Sequence, residues 1–469
     1  MNNKKIRHIY RSLLILGLIG LTACGTTEDP TVTPTEDPTT DPTEDPTSDE
    51  CEIVFNVDES EFGDGKNSRT TLTFWNPITG DDSGYMQELV QAWNNKFGKS
   101  FKISTTSNAE ASHYEKIDIA LNNNTAPDIA IVHTDRLAYY QYKGVIRDLT
   151  SWKDNMHIYD DDYVNDTLSI AEFDDKLYAV PYDYIPTLLY YNKELIPSGY
   201  TEEDILSSDF TVDKMIEMAK KAYVYNTKES KITYGISFNY SYTEKPFLNF
   251  LYQQGGKVIS SSNDRKAAYA CEEGYNAATA LMNMPTTKVD DHKIAQDSGV
   301  DHINIFAQGR ALFTIDGIWS MPSLLKHTDT VDTGLCYLPK VNSSVTRRNT
   351  YANAHCFACF SNKSGSTLKD TGIQLFLRYI NANSAYWCQS GKVAIRKDTL
   401  ASKAYTKLEW AFCSDDLTLM DLPEKKFTFN YLIKYLPNNV SILCEGQSTD
   451  VKAKIDAAAK AGEDLAGNL

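Results

Sequence analysis

The stretch Phe306 to Met321, FAQGRALFTIDGIWSM, decides how the rest of the chain is read. Phe306 and Ala307 close a predicted helix, and Gly309 suits the position after it because a residue without Cβ tolerates positive φ. Arg310 to Ile315 then reads as a short buried strand, Asp316-Gly317 as the turn that ends it, and Trp319 falls just past that turn, where a new helix starts. Ligands of open α/β sheets bind at the carboxyl ends of strands, so the pattern puts an indole where a ligand arrives. An indole filling core between helix and sheet is the competing reading.

With 469 residues, 42% of them hydrophobic, the chain can bury more than one core, and two lobes are expected. Residues 1–23 read as a secretory signal: Lys4, Lys5, Arg7 and Arg11 precede an apolar run from Leu13 to Leu21. That run is too short to span a bilayer, and no later stretch reaches membrane-spanning length. Leu21-Thr22-Ala23-Cys24-Gly25 resembles the lipobox of bacterial lipoproteins, which implies that Cys24 is lipidated and begins the mature chain. Two or more acyl chains on one residue anchor stably where one is marginal. The expected location is the cell surface, tethered to the outer face of the bacterial cytoplasmic membrane. Residues 24–68 read as the lipidated cysteine and a linker, with Pro30, Pro34, Pro38, Pro42 and Pro46 spaced every four residues among Thr, Asp and Glu. Such a segment buries nothing and repels itself, so an extended spacer of about 80 Å is expected.

The formal charge is −17, and the signal segment removes only basic residues, so the mature chain is more acidic still. Nucleic acid is excluded as a partner, because phosphate binding needs a basic surface. After Cys24, eight cysteines remain, which permits disulfides without requiring any. Cys356 and Cys359 have CxxC spacing, yet no second pair or spaced histidines complete a zinc site, so neither a metal nor another cofactor is expected.

Folded structure is expected from about Arg69. Thr71 to Trp75 is β-rich, and a polar loop, Asn76 to Ser83, leads into a helix. On that helix Tyr85, Leu89, Trp93 and Phe97 share an apolar face, capped by Asp82 or Ser83. Trp93 is read as core. A strand from Phe101 to Thr105, a helix to Asn122 and the strand in APDIAIVHTDR follow, an alternation that argues for a parallel sheet flanked by helices. Leu177 to Glu194 holds two strand-like runs broken by Pro181 and Pro186; Tyr351 to Ser361 is again a strand.

Five segments taken together resemble the extracellular solute-binding proteins of ABC importers, specifically the family-1 sugar binders. They are TLTFWNPITG with its helix, APDIAIVHTDR, KLYAVPYDYIPTLLYYNKEL, FAQGRALFTIDGIWSM and SGKVAIRKD. They occur in the family's order between about residues 70 and 400. The resemblance implies an α/β architecture of the periplasmic-binding-protein type II fold, two lobes joined by crossing strands around a ligand cleft. By that likeness the first lobe holds 69–180 and 356–391, the second 181–355 and 392–469, with crossings near Tyr178–Tyr184, Tyr351–Phe357 and Gly391–Arg396.

Pyranose faces pack on aromatic rings, while sugar hydroxyls need fixed donors and acceptors. Trp319 matches a family tryptophan that stacks on sugar, and Asp135 and Arg136 match a pair that hydrogen-bonds hydroxyls. One of Asp81 and Asp82, in the first loop, is expected at the ligand; Trp75 is either cleft or core. Val132 and Ile185 stand where the maltose binder has a stacking tryptophan and an acidic contact, and Phe247 lacks the hydroxyl of a family tyrosine, which puts the same ligand in doubt. Tyr182, Asp183 and Tyr184 are candidate replacements, and His355 on a crossing strand is a candidate contact or a satisfied core histidine.

No HExxH, GxSxG or phosphate loop occurs, and the SxxK spacing at Ser323 to Lys326 lacks its companion elements. The reading is therefore a non-enzymatic, lipid-anchored, monomeric carbohydrate-binding protein that delivers a mono- or oligosaccharide to an ABC permease. Its alternatives are a secreted glycoside hydrolase and a binder of another solute, peptide or polyamine.

Overall fold

The structure, a computed structural model, describes residues 51–226, 231–361 and 366–469. The expected signal segment, Cys24 and the proline-spaced tract to residue 50 lie outside the described residues. Two mixed sheets organise the rest. The first has the strand order Phe101–Ser107, Thr70–Asn76, Ile129–His133, His355–Cys359, Ala179–Pro181. Its first three strands are parallel, with Thr70 opposite Phe101 and Phe74 opposite Ile129. Parallel neighbours require crossovers, which the helices Ser83–Phe97 and Glu110–Asn122 supply. His355–Cys359 runs antiparallel to both of its neighbours, Ile129–His133 and Ala179–Pro181, because there the chain comes back to this sheet from the second one. The expected parallel pairing holds for the three strands read from the sequence, and the sheet as a whole is mixed.

On the Ser83–Phe97 helix the buried residues are Met86, Leu89, Val90, Trp93 and Phe97, spaced by three and four. Trp93 is core as expected, its Nε1–H donating to the Phe101 carbonyl at 2.8 Å. Asp82 occupies the N-cap position, but its carboxylate caps nothing and is used elsewhere. The chain is packed well before Arg69: a 3-10 helix spans Glu59–Gly65, and Phe62 is 1% exposed between Phe97 and Phe101. Phe55 and Phe62, buried Val57, the Val54 backbone bonded to Asn383 and the Glu61–Arg378 ion pair pack this acidic segment on the body, within the residues read as linker to 68.

The second sheet runs Met420–Asp421, Thr350–Asn353, Ile185–Asn192, Ala311–Gly317, Lys231–Ser237, Val224–Asn226, with Thr333–Tyr337 also paired to Ile185–Asn192. Ile185–Asn192 is buried at every position, as a strand with neighbours on both edges and both faces must be. The Phe306–Met321 stretch behaves largely as expected. His302–Ala307 is a helix, Gly309 has φ of 66°, and Ala311–Gly317 is a fully buried strand. The turn comes later than expected, at Ile318–Ser320, because Asp316 and Gly317 still pair with Leu188 and Thr187.

Three segments pass between the sheets. Residues 182–184 link Ala179–Pro181 to Ile185–Asn192, and Ala354 alone separates Thr350–Asn353 from His355–Cys359, splitting what reads in sequence as one strand. The third, at residues 391–396, is stitched to the first at Val393, whose N–H and carbonyl exchange 3.0 Å bonds with Tyr184. Cys356 and Cys359 sit three apart on a strand and so face opposite sides of the sheet, which rules out a shared chelate. Among the described residues no helix is long and apolar enough to cross a membrane.

Candidate functional site

A cavity of about 610 Å³ opens where the crossings meet, between the two sheets. The first-sheet side contributes the loop Pro77 to Gly80, Asp82, Glu110, Tyr114, His133 and Arg136. The second-sheet side contributes Ile185, Thr187, Tyr242, Lys245, Trp319 and Tyr351, while Asn353 and His355 come from the crossing itself. A larger hollow, about 810 Å³, is walled by Tyr191, Leu335, Tyr337 and Phe412 and touches none of the candidate ligand-binding residues. Size favours that hollow; the convergence of both sheets, aromatic rings and polar groups favours the cleft.

Trp319 is placed by the strand before it. The buried Asp316 carboxylate accepts from the Gly317 N–H at 2.7 Å, Ser320 Oγ at 3.1 Å and His302 Nε2 at 2.9 Å, and Tyr190 Oη donates to the Gly317 carbonyl at 2.8 Å. These bonds fix the turn, and the indole folds back over Gly317 and meets the Tyr242 ring edge-on at 5.6 Å. The side chain remains only partly buried, in the cavity wall.

Asp135 and Arg136 stay within ion-pair distance, Arg136 Nε lying 3.9 Å from Asp135 Oδ2, but of the two only Arg136 lines the cavity. Arg136 lines the cavity with its guanidinium 4.7 Å over the Tyr114 ring, whereas Asp135 turns behind it and accepts from Asn353 Nδ2 at 2.9 Å. Asn353 in turn accepts from Thr134 N and Oγ1, at 3.0 and 2.6 Å, tying the helix Thr134–Tyr142 to the crossing. Of the two first-loop acids, Asp82 lines the cavity, with Lys392 Nζ at 2.9 Å as its fully buried partner. Asp81 sits at the rim, 3.1 Å from Lys326, and hydrogen bonds from Lys326 and Ser323 hold its carboxyl below the usual range.

Of the remaining candidates, His355 lines the cavity and Trp75, Tyr182, Asp183 and Tyr184 do not. Trp75 packs partly buried against the core and does not line the cavity. Tyr182 is wholly buried, stacked 5.7 Å from Trp387, and Tyr184 is buried as well, its backbone bonded to Val393. Asp183 is also wholly buried; it accepts from His355 Nδ1 at 2.8 Å, His355 N at 3.1 Å and Trp387 Nε1 at 2.5 Å. His355 therefore reaches the cleft while Asp183 stands behind it. Val132 and Phe247 are fully buried core, away from the cavity lining.

Glu110, Tyr114, His133, Thr187, Tyr242, Lys245, Tyr351 and Asn353 were not singled out from the sequence. Glu110 and Lys245 face each other across the cleft at 4.0 Å. The Lys245 ammonium is the main cause that draws the Glu110 carboxyl down to about 2, against an opposing desolvation effect. Burial pushes His133 down to about 4, so the imidazole is neutral at ordinary pH. In sequence, Glu110 and Lys245 carry one legible signal, a position in the first turn of a helix that follows a strand end; nothing pairs them across 135 residues.

The arrangement offers an aromatic wall, carboxylates as acceptors, and ammonium and guanidinium groups as donors, in a cleft crossed by three segments. A family model described as bacterial extracellular solute-binding protein matches residues 76–334. No curated protein matches the chain. Among solved structures, an ABC substrate-binding protein from Listeria monocytogenes in complex with cycloalternan is 19% identical, with a TM-score of 0.69 over 85% of this chain and 99% of that one. A maltose-bound protein from T. maritima is 16% identical, TM-score 0.68, over 84% and 99% of the respective chains. A maltose/maltodextrin-binding domain from Bdellovibrio bacteriovorus bound to maltotriose is 15% identical, TM-score 0.70, again over 84% and 99%. These likenesses give the fold: two lobes of the periplasmic-binding type.

Proposed function

Since the chain belongs to the bacterial extracellular solute-binding proteins, we propose that it captures a mono- or oligosaccharide in the cleft and hands it to an ABC permease. The observation that carries this reading is the composition of the cleft wall: Trp319 and Tyr242 offer ring faces and edges, and charged donors and acceptors stand opposite one another around them. A neutral polyhydroxyl ligand needs both kinds of partner, and apolar C–H faces need the rings. The neighbours bound to cycloalternan, maltose and maltotriose agree with that chemistry.

Two other readings fit less well. A polyamine wants a cleft of carboxylates, and this one is also lined by Arg136 and Lys245. A glycosidase needs a carboxyl group protonated near neutral pH. Glu110 is driven the other way, to about 2, and Asp82, the other carboxylate on the cavity wall, is locked to Lys392. We therefore assign no catalysis to the site.

In this reading Trp319, Asp82, Arg136 and His355 contact the sugar, and Asp135, Asp183, Tyr182 and Tyr184 support them. Residues 69–180 and 356–391 make one lobe, with the packed 51–68 segment on it, and 181–355 and 392–469 the other. A lipid on Cys24 tethers the monomer to the outer face of the cytoplasmic membrane, and lobe closure is a population shift limited by the ligand's preference for the closed state. The test is a thermal-shift screen with saccharides, peptides and polyamines, followed by product analysis of any hit. Stabilisation by a saccharide without cleavage is the expected result; stabilisation by peptides or polyamines alone, or cleavage, overturns it.

A further inference from the structure

Two imidazoles on the cleft floor have a relation that neither strand alone discloses. His133 ends the Ile129–His133 strand, His355 begins His355–Cys359, and the antiparallel register sets them directly opposite each other. Their ring centroids are 5.0 Å apart, and both rings line the cavity. Each has its Nδ1 engaged on the protein side. The Nδ1 of His355 lies 2.8 and 3.0 Å from the two oxygens of Asp183, a carboxylate that can only accept, so a proton sits on Nδ1, and in the neutral imidazole Nε2 carries the lone pair. For His133 the partner is Tyr114, whose hydroxyl oxygen already accepts the His133 backbone N–H at 2.9 Å. The Tyr114 proton has His133 Nδ1, 2.6 Å away, as its acceptor among the described residues, which leaves the His133 proton on Nε2.

Neither Nε2 has a hydrogen-bond partner among the described residues, and neither is among the polar atoms sealed from solvent without one. The cleft floor thus presents one fixed donor and one fixed acceptor side by side. We propose that His133 and His355 form a paired-imidazole subsite in which His133 Nε2–H donates to one hydroxyl of a bound saccharide and His355 Nε2 accepts from its neighbour. Tyr114 and Asp183 are positioning residues for the pair: each holds one ring and selects its tautomer, and Asp183, through Trp387 and the His355 backbone, ties that choice to the crossing segments. A sugar lacking either hydroxyl, or bearing both groups in a geometry that cannot face the two nitrogens, leaves a buried nitrogen unpaired, which is how such sites discriminate.

The inference rests on the cleft being a sugar site, and its test separates the two claims. Nitrogen-15 spectra of the full-length chain with labelled histidine report the tautomers without ligand: proton on Nδ1 for His355 and on Nε2 for His133, with Asp183→Asn shifting the His355 ring toward the other tautomer. Titration with maltotriose, and with whichever saccharide stabilises the chain most in the thermal screen, is expected to move both Nε2 resonances. His133→Ala and His355→Ala are each expected to weaken that sugar roughly tenfold or more, and the deoxy analogue lacking the matched hydroxyl is expected to lose no further affinity in the corresponding variant. Reversed tautomers, or saturation by a sugar that leaves both resonances unmoved, overturns the histidine subsite while leaving the sugar site intact. Failure of every saccharide to bind overturns the sugar site, and the subsite with it.

Discussion

Substituting Gly317 by alanine tests the cleft without touching a ligand-facing side chain. The backbone there has φ of −74°, which alanine adopts freely, so the glycine is needed for space and not for conformation. A Cβ at this position falls 2.1, 2.2 and 2.3 Å from three atoms of the Trp319 six-membered ring. Carbon atoms rest at about 3.5–4.0 Å, so the indole must retreat by roughly 1.5 Å. Trp319 is only partly buried and can yield, so the fold should hold while the stacking surface moves and its edge contact with Tyr242 is lost. Aromatic geometry of this kind is worth about 1 kcal/mol, which predicts a roughly fivefold weaker Kd for the bound saccharide. Calorimetry supplies the affinity and tryptophan emission reports the ring displacement. In a Trp319→Ala background the same glycine substitution should have no effect, because the two changes act through one ring. Unaltered affinity together with unaltered emission would refute the placement of the indole; a loss of the same size without Trp319 would refute its role.

Trp319→Ala alone should lower saccharide affinity about tenfold or more with the thermal transition nearly unmoved; normal binding would return this indole to a packing role. Lys392→Met leaves the Asp82 carboxylate without its buried partner and should cost about 3–5 kcal/mol in urea unfolding, and a loss below about 1 kcal/mol would show the pair to be solvent-screened. Acid should weaken the fold in two steps. Burial pushes His113 and His133 down to about 4, so between pH 6.5 and 4 the unfolded chain takes up protons that the folded one refuses, and stability falls by up to about 3 kcal/mol for each. Glu110, ionised down to about 2, gives up its contribution only below pH 4.5, as the unfolded carboxylate protonates first. Denaturation midpoints that stay level from pH 7 to 4.5 would contradict the histidine assignment.

The order of elements was legible in the sequence because it depends on local periodicity and local breakers. The helix face with Met86, Leu89 and Trp93, the buried run of Ala311 to Ile315 and the positive φ of Gly309 all follow from spacing and residue type within a few turns. Trp319 was likewise legible, since its place past a strand end is a local fact. The docking of residues 51–68 was not, because two phenylalanines in an acidic segment carry no pattern until Phe97 and Phe101 stand beside Phe62.

What the tertiary structure alone decided is which polar groups line the cleft and which stand behind them. Asp135, Asp183 and Asp82 look alike in sequence, and burial with a specific partner sorts them: Asp135 holds Asn353, Asp183 holds His355 and Asp82 holds Lys392. Glu110 meets Lys245, and His133 meets His355, only because strands far apart in the chain pair in a particular register and three segments pass between two sheets. Periodicity says which face of an element is apolar; which distant element that face meets is settled by packing, and the chemistry of the cleft is made of those meetings.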